Sequence, residues 1–375
     1  MSCARRCGGK NYEDIAIYIY GRTGGTIVNF LVFLLVYLAC IGYIVLMGDL
    51  LTQLIPPIFP SDDWLNRVAM MGSCVVVIYP VTLLRNLSAL RITSFVSVLA
   101  IMFLAGAIID KSIRINENFI PTNTSAHHDA PMPPSHKFLP VEDPCLAKAT
   151  SRFDCIKWVR FDFDFLLAIP ILSCSFMCHF NVLPVHLELR RPTRQRMKKV
   201  IYWTMGLAAT LYLLVAVAGY LSFFQMLLGK NGGNILNMYS KGDIVITMGR
   251  AGLVSTLLLS FPLLTHPCRA TIEVLLFDKF WEASSCRSIF ISTLISVSSY
   301  LIAIFVPNIT VVWTLTGSTD AIIVAYVLPA LFYLKLTKGS ICNRRKLPAA
   351  FLFVVGVGLS IVCTFASIVN VIKMK

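Results

Sequence analysis

The sequence has 375 residues, of which 57% are hydrophobic and only 14% are charged, and its formal net charge is +14. Soluble domains usually carry about a quarter charged residues, so this composition excludes an ordinary water-soluble globular fold. The basic residues lie between apolar runs and form no separate basic domain. This distribution argues against a nucleic acid partner, and it is typical of the loops on the cytoplasmic side of a membrane protein.

A bilayer core of about 30 Å needs about 20 mostly apolar helical residues. Nine apolar runs approach or exceed that length, and they predict an all-α integral membrane protein with about nine transmembrane helices. We expect residues 1–25 to form a cytoplasmic N-terminal segment and residues 26–375 a polytopic transmembrane domain. The approximate bounds of the runs are 26–51, 68–84, 92–109, 163–187, 200–224, 244–276, 289–306, 310–334 and 347–371.

The positions of the basic residues predict the orientation of the chain. If the N-terminus lies in the cytoplasm, the cytoplasmic segments hold 19 Lys and Arg residues and the segments on the opposite side hold 11. Seven of those 11 lie in the long loop 111–162. The bias favours a cytoplasmic N-terminus and an extracellular or lumenal C-terminus.

The loop 111–162 is the one sizeable aqueous segment that the sequence predicts. It contains Asn123-Thr124-Ser125, which is a glycosylation acceptor sequence on the non-cytoplasmic side. It also contains Cys145 and Cys155, two of the 12 cysteines. An oxidising compartment would allow these two residues to form one disulfide.

The first candidate site is the segment between Pro170 and Pro184, which contains Ser173, Ser175, Phe176 and His179. Proline disrupts a helix interior, and polar side chains at membrane depth are costly unless they face partners. One interpretation is an unwound helix whose free backbone groups and hydroxyls bind a substrate. The other is a continuous, kinked helix whose serine hydroxyls bond their own carbonyls. Both stay open on the sequence alone.

Two further candidates concern an ion. Thr256 and Ser260 lie near Pro262 and Pro267, which predict a kink or break in their long span, and hydroxyl oxygens suit a hard cation. The alternative is helix packing by small residues. Asp320 lies about ten residues into its span, so its carboxyl is either an ion or proton site or a satisfied group at a local irregularity.

Enzyme motifs are absent from the sequence. It contains no glycine-rich phosphate loop, no His-Glu-x-x-His and no Gly-x-Ser-x-Gly. We therefore expect no enzyme activity, no cofactor apart from a coupling ion, and no bound metal at Cys174, Cys178 and His179.

Several ordered motifs carry a family resemblance. Ala168 to Ser173, then Glu188-Leu189, a basic turn around Lys198, and Gly219 to Phe223 resemble the sixth and seventh spans of the amino acid/auxin permease family. Further stretches are similar to its eighth and tenth spans, and the likeness to protozoan members covers nearly the whole chain. The stretches are Ser260 to Arg269, Gly317-Ser318-Thr319 and Leu328 to Lys335.

The resemblance implies an inverted-repeat (LeuT-like) transporter fold of eleven spans that moves amino acids with Na⁺ or H⁺. It implies a substrate site around Ser173 to Phe176, and it places Ser260 where the family often has a hydroxyl. Asp320 departs from the small residue usual there. Residues Tyr12 to Ala16 resemble the stretch that follows the second span of the family, so we expect this chain to lack the first two spans and to form a partial fold.

We therefore expect a secondary active amino acid transporter in the plasma membrane or an internal acidic compartment, with an amino acid and the lipid bilayer as its partners. The alternative is a membrane amino acid sensor without net transport. The sequence does not determine the amino acid, the coupling ion, the membrane or the oligomeric state.

Overall fold

A computed structural model of the chain describes residues 3, 7–9, 11–59, 61–83, 90–117, 156, 163–179, 182–189, 191–223, 234–277, 285–337, 344 and 346–374. Over these residues the chain is helical and contains no strand. Its principal helices, in chain order, are α1 (Tyr12–Leu54), α2 (Asp63–Thr82), α3 (Leu90–Glu117), α4 (Phe163–Ser175), α5 (Val182–Glu188), α6 (Arg194–Phe223), α7 (Ile244–Phe277), α8 (Ser285–Phe305), α9 (Ile309–Leu336) and α10 (Leu347–Met374).

Eight helices in the described part of the chain are long and apolar enough to cross a membrane. Each coincides with one predicted span, and the ninth predicted span corresponds to the short helices α4 and α5. Large apolar side chains such as Val76 (73% exposed) and Phe305 (83% exposed) remain uncovered, which is costly in water and favourable against lipid. The prediction of an all-helical multi-pass membrane protein is confirmed.

The chain folds into two compact units that are discontinuous in sequence. The first comprises Met1–Gly42, Phe161–Met205 and Leu263–Lys375, and the second comprises Tyr43–Arg160 and Gly206–Pro262. Helices α1, α6 and α7 each contribute residues to both units.

In the first unit, α1 bends sharply at Gly21. This residue has φ 74° and ψ −167°, a backbone conformation that glycine adopts without the steric cost of a Cβ atom. The helical arm Tyr12–Tyr20 packs against the rest of α1, since a Cβ on Gly25 would overlap Ile17. The arm also joins the core of the unit: Ile15 and its neighbours pack with Leu328 and Phe332 of α9. The sequence predicted only a short cytoplasmic segment here.

A second cluster in the first unit joins α1 to α7 and α8. Val36, Cys268, Ile291 and Ile295 are buried together. Beside them, the Tyr37 hydroxyl donates to Ser298 Oγ at 2.8 Å. This hydrogen bond gives the Tyr37 hydroxyl a partner that the hydrocarbon of a bilayer could not supply.

The closest helix contact in the first unit joins α4 to α9. Gly317 is buried, and a Cβ at this position would overlap the backbone carbonyl of Pro170. Helices α4, α9 and α10 pack against one another around this point. Small residues allow such close approach of backbones in membranes.

The second unit holds a buried arginine at the start of α7. The Arg250 side chain is fully buried. Its Nη2 donates to the carbonyls of Leu236 and Tyr239 at 2.6 and 2.8 Å, so the guanidinium holds the turn that precedes α7. Burial raises the pKa of Tyr239 in that turn to about 12. Asp243 caps α7 by accepting from the amides of Val245 and Ile246, and it also pairs with Lys111 of α3.

Two predicted features lie outside the described residues. They are the disulfide between Cys145 and Cys155 and the glycan on Asn123. The disulfide and the glycan therefore stay predictions.

We predict that Gly317→Ala destabilises the protein, because the added Cβ meets the backbone of Pro170, which cannot rotate away. Overpacking of this kind costs about 1–3 kcal/mol. The matched control is Gly358→Ala in α10, where nothing lies within 4 Å of the new Cβ. Thermal unfolding of the purified protein in detergent should show a lower Tm for the first variant only. Equal Tm values for the two variants would contradict the tight contact.

Candidate functional site

The helix that the sequence placed between residues 163 and 187 is broken. Helix α4 ends at Ser175 and α5 begins at Val182, with residues 176–179 outside regular helix. The backbone is unwound here, as the first interpretation of this segment predicted, and binding of a substrate by the segment stays a prediction. The two prolines do not mark the break, however, because Pro170 lies inside α4 and Pro184 inside α5. The break falls between them, at the most polar stretch.

Several polar groups at the end of α4 form hydrogen bonds to carbonyls of α4 itself. Ser175 is exposed, and its hydroxyl donates to the Ile171 carbonyl at 2.8 Å. This is the internal bond that the alternative interpretation of the segment predicted for its serines. The Phe176 amide donates to Leu172 O at 3.2 Å, and the Met177 amide donates to Cys174 O at 3.1 Å. Ser173 lies in the last full turn of α4 and is 8% exposed.

His179 lies in the break and faces α9. Its ring meets the Tyr326 ring edge-on, and the two ring centroids are 6.4 Å apart. Its Nδ1 is buried and has no hydrogen-bond partner among the described residues. Just beyond the break, Leu183 of α5 packs with Ala321 and Val324 of α9. The break and the middle of α9 are therefore neighbours.

The middle of α9 is wider than an ordinary α-helix. The Ile322 amide donates to Gly317 O and the Leu328 amide to Ile323 O, so both bonds span five residues. Such π-helical turns are rare and are frequent at functional sites. Helix α10 supports this segment, because the Ser360 hydroxyl donates to Ser318 O at 2.7 Å.

Asp320 lies in the first π-helical turn of α9. Its side chain is only 1% exposed, and neither carboxyl oxygen has a hydrogen-bond partner among the described residues. Thr316, one turn earlier, is also buried, and its hydroxyl likewise has no such partner. An ionised carboxylate costs several kcal/mol to bury alone, so a cation or a proton would stabilise it. The choice between an ion or proton site and a satisfied carboxyl at Asp320 stays a prediction.

The first unit thus brings together two of the three sequence candidates. The break that follows Ser173 and Ser175 lies beside the α9 segment that carries Asp320, with Gly317 touching Pro170 at one end and Tyr326 touching His179 at the other. The backbone of residues 176–179 lies outside regular helix, and the neighbouring carboxyl offers a charge. Such a site can bind a small zwitterion and a cation.

The third candidate belongs to the second unit. Thr256 is buried, and its hydroxyl donates to the Gly252 carbonyl at 2.9 Å. Ser260 is partly buried on the same helix. The predicted break beside these residues is wrong, because α7 is one helix from Ile244 to Phe277 that includes Pro262 and Pro267.

Sequence reasoning missed the π-helical geometry of α9 and the packing of the N-terminal arm. The run Gly317-Ser318-Thr319 signalled an irregularity but not its kind. The arm had a signal in Gly21, Gly24 and Gly25, since clustered glycines often mark a bend and a close approach. Among the described residues, no group of three or more His, Cys, Asp or Glu side chains could hold a metal ion.

Comparison with known proteins extends these observations. The family model "Transmembrane amino acid transporter protein" matches residues 1–373. The chain is also similar to sodium-coupled neutral amino acid transporter 4 of Pongo abelii, with 28% identity over 340 residues, which cover 80% of this chain and 60% of the relative. The chain thus spans about three-fifths of the length of that relative. Because the family model matches almost every residue, the chain belongs to the transmembrane amino acid transporter family.

Proposed function

We propose that this protein carries amino acids across a membrane by secondary active transport, in symport with Na⁺. The observation that carries the proposal is the helix break between α4 and α5, which lies against the π-helical turns of α9. Irregular backbone at membrane depth occurs where it is covered by protein or lines a water-filled cavity. In a family of amino acid transporters, a substrate site is the most direct function for such irregular backbone.

The substrate site in this proposal comprises the end of α4 and the break. Backbone groups near Ser175, together with the hydroxyl of Ser173, bind the amino and carboxyl groups of the substrate. Phe176 closes over its side chain, and His179 supplies a ring nitrogen, since its buried Nδ1 has no partner among the described residues. Alternating access then requires the bundle that carries the break to rock around this site.

The ion-coupling residues in this proposal are Asp320 of the first unit and, separately, Thr256 and Ser260 of the second unit. Asp320 supplies the negative charge, and its buried, unpartnered carboxyl supports the role. Thr256 and Ser260 supply hydroxyl oxygens from α7. The choice of Na⁺ follows the name of the relative, which is sodium-coupled.

The orientation in this proposal follows the distribution of basic residues. The N-terminal segment 1–25 lies in the cytoplasm, and the C-terminus lies outside or in a lumen. Loop 111–162 then lies on the non-cytoplasmic side, where Cys145 pairs with Cys155 and Asn123 carries a glycan. The membrane is the plasma membrane or that of an internal acidic compartment.

Uptake tests the proposal directly. Purified protein in proteoliposomes should accumulate labelled neutral amino acids when Na⁺ is high outside, and should not when choline replaces Na⁺.

Ser173→Ala should raise the KM about tenfold, because a hydrogen bond to a charged group contributes about 1.5–3 kcal/mol. The control Ser255→Ala removes an exposed serine hydroxyl that donates to the carbonyl of Ala251 and should leave the KM unchanged. Saturable binding without uptake would contradict transport and support a sensor.

Asp320→Asn tests the ion site. Removing the buried charge should raise the Na⁺ concentration for half-maximal uptake about tenfold or more, which corresponds to about 1.4 kcal/mol of lost binding free energy. The control Asp110→Asn removes an exposed carboxylate that pairs with Arg114 at 2.9 Å. If the Asp320 variant keeps its Na⁺ dependence but loses its pH dependence, Asp320 carries a proton. If both dependences are unchanged, the assignment of Asp320 to coupling is wrong.

A further inference from the structure

An open cavity of about 220 Å³ lies in the first unit. It is lined by the N-terminal arm of α1, by the first turns of α1 after its bend, and by the last turns of α7. We call it the arm cavity. One water claims only about 30 Å³ in the liquid, so the space suits a small organic group.

Asn29 gives the arm cavity an unused donor. Asn29 lines the cavity and is 8% exposed, and its Nδ2 has no hydrogen-bond partner among the described residues. A buried donor left without a partner costs about 1–3 kcal/mol. A ligand that presents an oxygen acceptor at this point would remove that cost.

The rest of the polar wall favours a positive group. Glu13 contributes a carboxylate, and none of the described residues that line the cavity is basic. The Thr271 hydroxyl hydrogen is donated to Pro267 O at 2.7 Å, so its oxygen lone pairs face a ligand as acceptors. An ammonium group fits beside these acceptors, while an oxygen of the same ligand accepts from Asn29. The wall is therefore complementary to a zwitterion.

The arm cavity lies at a depth in the membrane where a lipid headgroup could enter it. Asn29 is the fourth residue of the first apolar run, and Val274 lies in the last turn of α7. Both positions therefore lie near an end of their apolar run, at the boundary of the bilayer where lipid headgroups lie. Val28, Val32 and Val274 form an apolar wall beside the polar one, which suits the glycerol and acyl part of a lipid.

We propose that the arm cavity binds the headgroup of a phosphatidylethanolamine lipid. Its primary ammonium donates to Glu13 and Thr271, and its phosphate accepts from Asn29 Nδ2. A choline headgroup lacks the N–H donors, and an anionic glycerol headgroup lacks the positive charge, so the site selects ethanolamine. The arm becomes a wall of this site because Gly21 bends α1 and Gly25 lets Ile17 approach.

Native mass spectrometry tests this proposal. The full chain is reconstituted in nanodiscs of equal parts phosphatidylethanolamine, phosphatidylcholine and phosphatidylglycerol, and the lipids that remain bound after release are counted. We expect one retained phosphatidylethanolamine per chain. Asn29→Leu should lower that occupancy about tenfold, as expected for a lost hydrogen bond to a charged phosphate.

The matched control is Thr26→Val, which replaces an exposed polar side chain in the same turn whose hydroxyl donates to Arg22 O at 3.1 Å. It should retain the lipid. Circular dichroism melting identifies a misfolded Asn29 variant, and Glu13→Gln then provides the second test by reducing the preference for ethanolamine over choline. Equal retention of all three lipids by the unmodified chain, or unchanged retention in both variants, would overturn the proposal.

A competition experiment distinguishes the lipid from a soluble zwitterion of the same chemistry. Free phosphoethanolamine should not displace the retained lipid, because it lacks the acyl chains that contact the valine wall. Displacement at millimolar concentration would assign the cavity to a soluble ligand and overturn the lipid assignment. The readout is independent of uptake, so failure of transport and failure of this proposal are distinguishable.

Discussion

The central constraint on this protein is that backbone groups inside a bilayer must find partners within the protein. The chain satisfies these groups with regular α-helices almost everywhere in its described part. Within its spans, the backbone leaves regular α-helix at two adjoining places. One is the break between Ser175 and Val182, and the other is the pair of π-helical turns in α9. The contact of Gly317 with the Pro170 carbonyl holds these two irregular segments together.

The irregular segments differ in how many of their polar groups have hydrogen-bond partners. Ser360 supplies a donor to the Ser318 carbonyl, so α10 supports the π-helical turn from outside. Asp320 and His179 retain buried polar atoms that have no partner among the described residues. A fold that leaves these side chains unpaired has unmet hydrogen-bonding capacity at this place. A ligand or ion that supplies the missing partners gains binding free energy there, which is the physical basis for transport in our account.

The sequence predicted the spans well because their signal is additive: about 20 apolar residues identify a helix whatever its neighbours are. It also located the break, since Ser173 to His179 combine polarity with nearby prolines. It failed where the outcome depends on tertiary contacts. Pro262 and Pro267 predicted a kink or a break, but α7 continues through them as one helix from Ile244 to Phe277. The π-helical turns depend on α4 and α10 packing, which no local pattern encodes.

Hydrogen–deuterium exchange of the protein in nanodiscs, with and without a neutral amino acid and Na⁺, tests the central claim most directly. The account predicts that ligand slows exchange in peptides that cover 172–183 and 317–322, because bound substrate and ion stabilise the irregular backbone there against opening. Peptides from 206–218 of α6 should exchange at the same rate in both conditions. Protection elsewhere with no change at the break would show that the amino acid binds at another place, and would contradict the account.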